Sequence, residues 1–207
     1  MSRTGRTGRA QPADEYNRPG RDFREVFKNF KKYTTPLEFK MFIGTPIVIS
    51  IIIFISFLLI DISNTNLLKV IIEMNSKSLT VIAILAGFNT TSLAIIAASN
   101  SSVLKFLRQH TVSNGNGSLL KQLVSFFSFA ILIQLIVLIA GILLEVISSS
   151  FSEIGSALPF LSGLLVKVPL SILGAVWLSS ILFTIIISVR NATLLYRYVL
   201  FVADYDE

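Results

Sequence analysis

The chain has 207 residues, of which 53% are hydrophobic and only 14% are charged, and its mean hydropathy is +0.72. Soluble domains carry about 25% charged residues, so this composition excludes an ordinary water-soluble protein. The net charge of +6 does not indicate a nucleic-acid-binding domain, because ten of the 18 Lys and Arg residues precede Phe42. The sequence contains no cysteine, which excludes a disulfide framework, a thiolate nucleophile and a cysteine zinc site.

The first 40 residues divide into two polar segments. Residues 1–20 are rich in Arg, Gly, Thr and Pro, which predicts a disordered basic tail. Over residues 21–40, apolar side chains recur at helical spacing opposite a basic face, which predicts an amphipathic helix in the cytoplasmic membrane interface. That face contains Arg24, Lys28, Lys31 and Lys32. Thr35, Pro36 and Glu38 then form a helix-start signal, because they fit a capping box with proline at the first helical position.

Four uncharged hydrophobic stretches follow, each long enough to cross a hydrocarbon core of about 30 Å as a helix. They cover residues 42–60, 79–98, 123–144 and 168–187 approximately. The alternating segments of a transmembrane β-barrel are absent from the sequence. The predicted fold is therefore all-α, a four-helix transmembrane bundle within residues 41–200 that is followed by an acidic end at residues 201–207.

The positions of Lys and Arg between the spans predict the orientation. Ten precede the first span, two follow the fourth, and three lie between the second and third, namely Lys105, Arg108 and Lys121. The other side has only Lys69, Lys77 and Lys167. By the positive-inside rule, we expect both termini in the cytoplasm.

The segments between the spans also carry apolar side chains. We predict a short surface helix over residues 66–77 on the outer side, and an interfacial or partly re-entrant segment over residues 151–167. On the inner side, the second helix should continue past the membrane through residues 103–107. Flexible turn chemistry at residues 113–118 should then end it.

Small and polar residues within the spans indicate which helix faces contact protein rather than lipid. The second span has a strip of small residues at Ala83, Gly87, Thr91, Ala94 and Ala98. Because an unpartnered amide in hydrocarbon costs several kcal/mol, Asn89 and Gln134 should bond to each other, to Trp177 or to Ser180. Interhelical packing and lining of a hydrated pore both remain open as interpretations. The candidate residues are Gly87, Asn89, Thr91, Gln134, Trp177, Ser180 and Thr184.

No catalytic, cofactor-binding or metal site is predicted, and we expect a protein without enzymatic activity. The serines have no base beside them, and the single histidine, His110, has no second His or Cys with which to bind zinc. Asp61, Glu145 and Glu153 lie near the outer ends of spans. We interpret them as solvated carboxylates, with a carboxylate ring at a pore mouth as the alternative.

The basic segments predict contacts at the membrane surface. Each basic side chain near an anionic bilayer contributes about 1 kcal/mol of attraction, so Arg24, Lys28, Lys31 and Lys32 favour anionic lipid. Together with Lys105 and Arg108 they also offer a surface to a cytoplasmic protein partner. Contact of the RTGRTGR segment with nucleic acid is disfavoured, because the segment is short and acidic residues follow it.

The basic amphipathic lead-in, the four closely spaced spans and the Gly-Phe-Asn-Thr-Thr sequence at residues 87–91 resemble small four-span membrane proteins of bacterial defence operons. The membrane subunit of the Kiwa anti-phage system typifies that group. The resemblance covers the layout of residues 42–199. It implies a homo-oligomeric sensor in the bacterial inner membrane that is partnered by a cytoplasmic effector.

Two functional hypotheses follow. The first is a non-enzymatic sensor, scaffold or effector subunit that oligomerises through the second span and recruits a soluble partner. Residues 21–40 and 105–121 would form the recruiting surface. The alternative is a homo-oligomeric pore or membrane-permeabilising effector, in which the polar faces of the second and fourth spans surround water.

Overall fold

A computed structural model describes residues 20–110, 117–154 and 164–205, and within these residues all long elements are α-helices. The helices are α1 (Arg21–Tyr33), α2 (Pro36–Leu59), α3 (Asn64–Ala97), α4 (Ser101–Gln109), α5 (Leu119–Ile154) and α6 (Leu164–Tyr205). α2, α3, α5 and α6 are each long and apolar enough to cross a membrane. The predicted all-α, four-helix membrane fold is therefore confirmed.

The start of α2 has the predicted capping box. Thr35 Oγ1 accepts a hydrogen bond from the Glu38 backbone N–H at 3.3 Å, and Glu38 Oε2 accepts one from the Thr35 N–H at 3.1 Å. Pro36 is the first residue of the helix, where its missing N–H removes no helical hydrogen bond. This reciprocal bonding defines where the chain turns from α1 into the first span.

Two predictions about α3 are wrong. Residues 66–77 are not a separate surface helix but the first turns of α3, because Leu67 and Ile71 are buried in a cluster with Phe54 of α2. The helix also does not continue through residues 103–107. It ends at Ala97, and Asn100 caps a separate helix, α4, by accepting a hydrogen bond from the Ser102 N–H at 3.4 Å.

Two of the predicted connections lie largely outside the described residues. The turn at residues 113–118 falls mostly within residues 111–116, which the structure does not describe, and the same applies to residues 155–163. At the edges of the second segment, residues 151–154 continue α5 and residues 164–167 begin α6. The spanning helices therefore occupy part of what we predicted as an interfacial segment. The Glu153 side chain lies outside the described part.

The bundle has α6 as its common element, because α6 packs against α2, α3 and α5, while α3 also packs along α5. Ile82, Val137 and Ile181 form the middle of the core. At one end of the bundle, α1, α4 and the last turns of α6 come together, and we call this the basic end. The α2–α3 turn lies at the opposite end.

The outer surface of the bundle is apolar. Only 17% of the most hydrophobic part of α2 and 28% of that of α3 is buried within the protein. Large side chains such as Ile52, Ile84 and Ile139 are more than half exposed. Polar groups, in contrast, are concentrated inside, as expected for helices surrounded by lipid.

Candidate functional site

Four amide and hydroxyl side chains form a buried polar core between three spanning helices. Asn89 of α3 donates through Nδ2 to Gln134 Oε1 of α5 at 3.0 Å and to Ser188 Oγ of α6 at 3.1 Å. Gln134 Nε2 donates to Ser188 Oγ at 2.6 Å, and Asn191 Nδ2 donates to Asn89 Oδ1 at 2.9 Å. The predicted bond between Asn89 and Gln134 is thus present, and both side chains are completely buried.

The α6 partners of Asn89 and Gln134 differ from those that the sequence predicted. We expected Trp177 or Ser180 as alternative partners, whereas the partners are Ser188 and Asn191, one and two helical turns further along α6 from Thr184. The signal was available, because residues 184, 188 and 191 are spaced by four and three and therefore share one helix face. That spacing does not indicate which residues of this face lie beside Asn89 when α6 packs against α3.

Trp177, Ser180 and Thr184 make other contacts. Ser180 Oγ donates to the Val176 carbonyl at 2.9 Å, and Thr184 Oγ1 donates to the Ile181 carbonyl at 2.7 Å, so both bonds stay within α6. The Trp177 Nε1 atom is buried and has no hydrogen-bond partner among the described residues. Thr184 is almost completely buried, while Trp177 and Ser180 are half-buried.

Gly87 and Thr91 lie on the other side of α3, facing away from the polar core. Both are exposed, together with Ala83, Ala94 and Ala98 of the small-residue strip. A side chain added at Gly87 would meet no atom within 4 Å. The seven candidate residues therefore do not form one surface. Asn89, Gln134 and Thr184 lie inside a single chain, which favours the packing interpretation for these three.

The opposite end of the bundle carries two further polar contacts. Asn75 Nδ2 donates to Glu145 Oε2 at 2.8 Å and to the Gly141 carbonyl at 3.0 Å. Glu145 is therefore more than a solvated carboxylate, because it is only partly exposed and accepts a hydrogen bond from the buried Asn75 side chain of α3. In the alternative interpretation, Glu145 belongs to a carboxylate ring at a pore mouth. A cation bound there would compete with Asn75 for the Glu145 carboxylate.

Asp61, in the α2–α3 turn, forms an ion pair with Lys167. The Lys167 side chain is 8% exposed and its ammonium donates to Asp61 Oδ1 at 2.6 Å, while the Asp61 side chain is almost fully exposed. The hydrogen bond from Lys167, reinforced by its positive charge, lowers the pKa of Asp61 below the usual 3.8. This pair ties the turn to the start of α6.

At the basic end, α1 is attached to the bundle through its aromatic face. Phe30 stacks on Phe129 of α5 with ring centroids 3.7 Å apart, and Phe27 meets the same ring edge-on at 5.0 Å. Lys121 Nζ of α5 lies 3.7 Å from Glu25 Oε1 of α1. The predicted surface cations are all exposed, namely Arg24, Lys28, Lys31 and Lys32 of α1 with Lys105 and Arg108 of α4.

The two basic helices border a common groove. This groove has a volume of about 430 Å³ and is lined by Glu25 and Asn29 of α1, Arg108 of α4 and Lys121 of α5. His110, which follows α4, is exposed and stacks on Phe106 at 3.7 Å. Within the described residues, no three His, Cys, Asp or Glu side chains cluster closely enough to hold a metal ion.

Comparison of the chain with protein-family models, with curated proteins and with solved structures found no match. The functional proposal therefore depends on the residues of this chain.

Proposed function

We propose that this four-helix membrane protein is a non-enzymatic, oligomeric sensor, scaffold or effector subunit that recruits a cytoplasmic partner to its basic end. The observation that carries the proposal is that the exposed cations of α1 and α4 lie at the same end of the bundle, where a groove lined by both helices also lies. In this proposal both termini are cytoplasmic, the membrane is the bacterial inner membrane, and a role in anti-phage defence follows from the resemblance described above.

The attachment of α1 supports recruitment. Phe27 and Phe30 hold α1 on Phe129, and Lys28, Lys31 and Lys32 are exposed on its other side, where they can contact a partner. A fixed array of cations attracts anionic headgroups at about 1 kcal/mol per side chain and steers an acidic protein surface towards the same place. The groove beside Arg108 is a concave site that part of such a protein can occupy, whereas a flat bilayer cannot enter it.

The exposed small-residue strip supports oligomerisation. Small residues allow two membrane helices to approach closely, and Gly87 has open space around it in the isolated chain. Ala83, Thr91 and Ala94 extend this face along three turns of α3. We propose that the face packs against a second copy of the chain.

Site-specific photo-crosslinking in cells tests partner recruitment. A photoreactive residue at position 28 or 105 should capture the same soluble protein, whereas one at the exposed Lys77 of the opposite end should not. Reversal of charge at Lys31 and Lys32 should abolish capture at position 28. Equal capture from position 77, or capture that survives charge reversal, would refute the proposal.

Oligomerisation is tested with two glycine variants. Gly87→Leu should shift single-molecule photobleaching towards fewer subunits, because leucine holds the two α3 helices apart. Gly44→Leu in α2 is the matched control, since a side chain there also meets no atom within 4 Å. Equal subunit counts for both variants and the parent would refute the proposal that α3 forms the interface between copies.

The pore alternative predicts that expression depolarises cells. A potential-sensitive dye that reports an unchanged membrane potential in well-expressing cells would exclude it. Reporter fusions after Tyr205 and at residue 115 should both report the cytoplasm, and a periplasmic signal from either would overturn the proposed orientation.

A further inference from the structure

A second groove at the basic end is lined in part by Arg190, in the second half of α6. The Arg190 side chain is only 12% exposed, and its guanidinium carbon lies 3.8 Å from the ring centre of Phe126 and 5.2 Å from that of Phe42. Arginine is the cation best suited to stack on aromatic rings and still direct donors to an anion. The residue is therefore held in position before any ligand arrives.

The charge of Arg190 is poorly satisfied by the protein. Its one ionic partner among the described residues is Glu38, whose Oε2 lies 3.5 Å from Nη2. That same oxygen already accepts hydrogen bonds from Thr35 N and Thr35 Oγ1, at 3.1 and 3.0 Å. The Nη1 atom of Arg190 is buried and has no hydrogen-bond partner in the described structure. Buried guanidinium donors are normally paired, because an unpaired one loses its hydration without replacement.

The groove beside this guanidinium has both a polar and an apolar part. Its volume is about 660 Å³, and its polar lining includes Tyr33, Thr35, Gln122 and Arg197. Arg197 follows Arg190 by seven residues, which places it two turns further along the same face of α6, about 10 Å away along the axis. The two arginines outnumber Glu38, the one acidic residue of the lining, so the groove favours an anion.

The apolar part of the lining points to an amphiphile rather than a free ion. Leu119 and Leu123 begin the third span, and with Leu194 and Phe201 they form a wall of the groove. The groove therefore lies where the apolar spans meet the basic end. A phosphate group on Arg190 and Arg197 with a hydrocarbon chain along these leucines satisfies both parts at once.

We infer that the Arg190–Arg197 groove binds the phosphate of an anionic phospholipid. This inference requires only the four-helix membrane bundle, and it does not depend on the recruitment or the oligomerisation proposed above. It differs from general attraction of a bilayer to surface cations, because it assigns one lipid to one groove that Arg190 and Arg197 both line.

Native mass spectrometry of the full chain tests the site, with phosphatidylglycerol and phosphatidylcholine as the added lipids. The parent protein should retain phosphatidylglycerol in preference to phosphatidylcholine. Arg190→Gln should weaken retention of phosphatidylglycerol about tenfold, as expected for loss of a charge-assisted hydrogen bond. Lys105→Gln is the matched control, because it removes an exposed cation of the same end outside the groove, and it should change retention less than about twofold.

Glu38→Gln is a second variant that tests the site and leaves Arg190 unchanged. Glutamine at this position retains the capping box but removes the negative charge that competes for the guanidinium. Retention of phosphatidylglycerol should therefore rise about threefold or more. If Arg190→Gln does not fold, this variant decides the outcome, and unchanged retention overturns the inference.

Soluble phosphates distinguish the source of the anion. Inorganic phosphate and glycerol 1-phosphate, added at the concentration of the lipid, should not displace phosphatidylglycerol. Displacement by either would show that the groove takes a soluble phosphate compound, and the lipid assignment would be wrong. Equal retention of the two lipids by the parent protein would also overturn it.

Discussion

Replacement of Asn89 by alanine removes contacts that join three spanning helices. The side chain donates to Gln134 and Ser188 and accepts from Asn191. Interhelical hydrogen bonds in membrane proteins contribute about 0.6 kcal/mol on average and up to about 1.7 kcal/mol. Three such contacts, with the cavity left by the amide, predict a decrease of about 2–4 kcal/mol in the free energy of unfolding.

Unfolding in mixed detergent micelles measures this decrease, with the fluorescence of the single tryptophan, Trp177, as the signal. Thr90→Ala is the matched control. Thr90 is adjacent on α3 but exposed, and among the described residues its hydroxyl donates only to the Ala86 carbonyl of the same helix at 2.8 Å. Its effect should be below about 0.5 kcal/mol.

A double variant tests whether the Asn89 contacts act between helices. Asn89→Ala and Gln134→Ala should destabilise the bundle together by less than the sum of their separate effects, since both remove the same hydrogen bond. Equal unfolding free energies for Asn89→Ala and Thr90→Ala, or strict additivity in the double variant, would refute this account of the core.

Three further predictions concern close contacts and charge. Gly174→Ala should destabilise the bundle by about 1–3 kcal/mol in the same assay, because the added methyl meets the buried ring of Phe54. Thr35→Ala should cost about 0.5–2 kcal/mol through loss of the capping box, whereas Thr35→Ser should retain it. Because the pKa of Asp61 is lowered, its ion pair stabilises the folded state above about pH 3.8 and is lost as the pH falls through the lower folded-state pKa. The melting temperatures of Asp61→Asn and the parent should therefore differ at neutral pH and converge in acid.

The sequence was most informative where one physical constraint dominates. The four spans followed from length and hydropathy, because backbone groups in lipid must be satisfied within a helix. The capping box at Thr35 followed from local chemistry alone. The bond between Asn89 and Gln134 followed from the cost of an unpartnered amide, since few other polar groups are available at that depth.

The predictions failed where tertiary packing decides the outcome. Leu67 and Ile71 have the spacing of an interfacial helix, but Phe54 lies opposite and buries them, so helix α3 begins earlier than hydropathy indicates. The end of α3 depends on Asn100, whose side chain caps the next helix. The Arg190 groove was not predictable, because its parts come from five helices and are brought together only by their packing.

The polar core also sets an order of assembly during synthesis. Asn89 enters the bilayer with the second span, but Gln134 follows 45 residues later and Ser188 follows 99 residues later. Until the ribosome has supplied both, the half-made protein carries an amide without its interhelical partners in the lipid. A chain that is truncated before Ser188 keeps that unsatisfied amide, so it should be degraded rather than accumulate as a stable three-helix product.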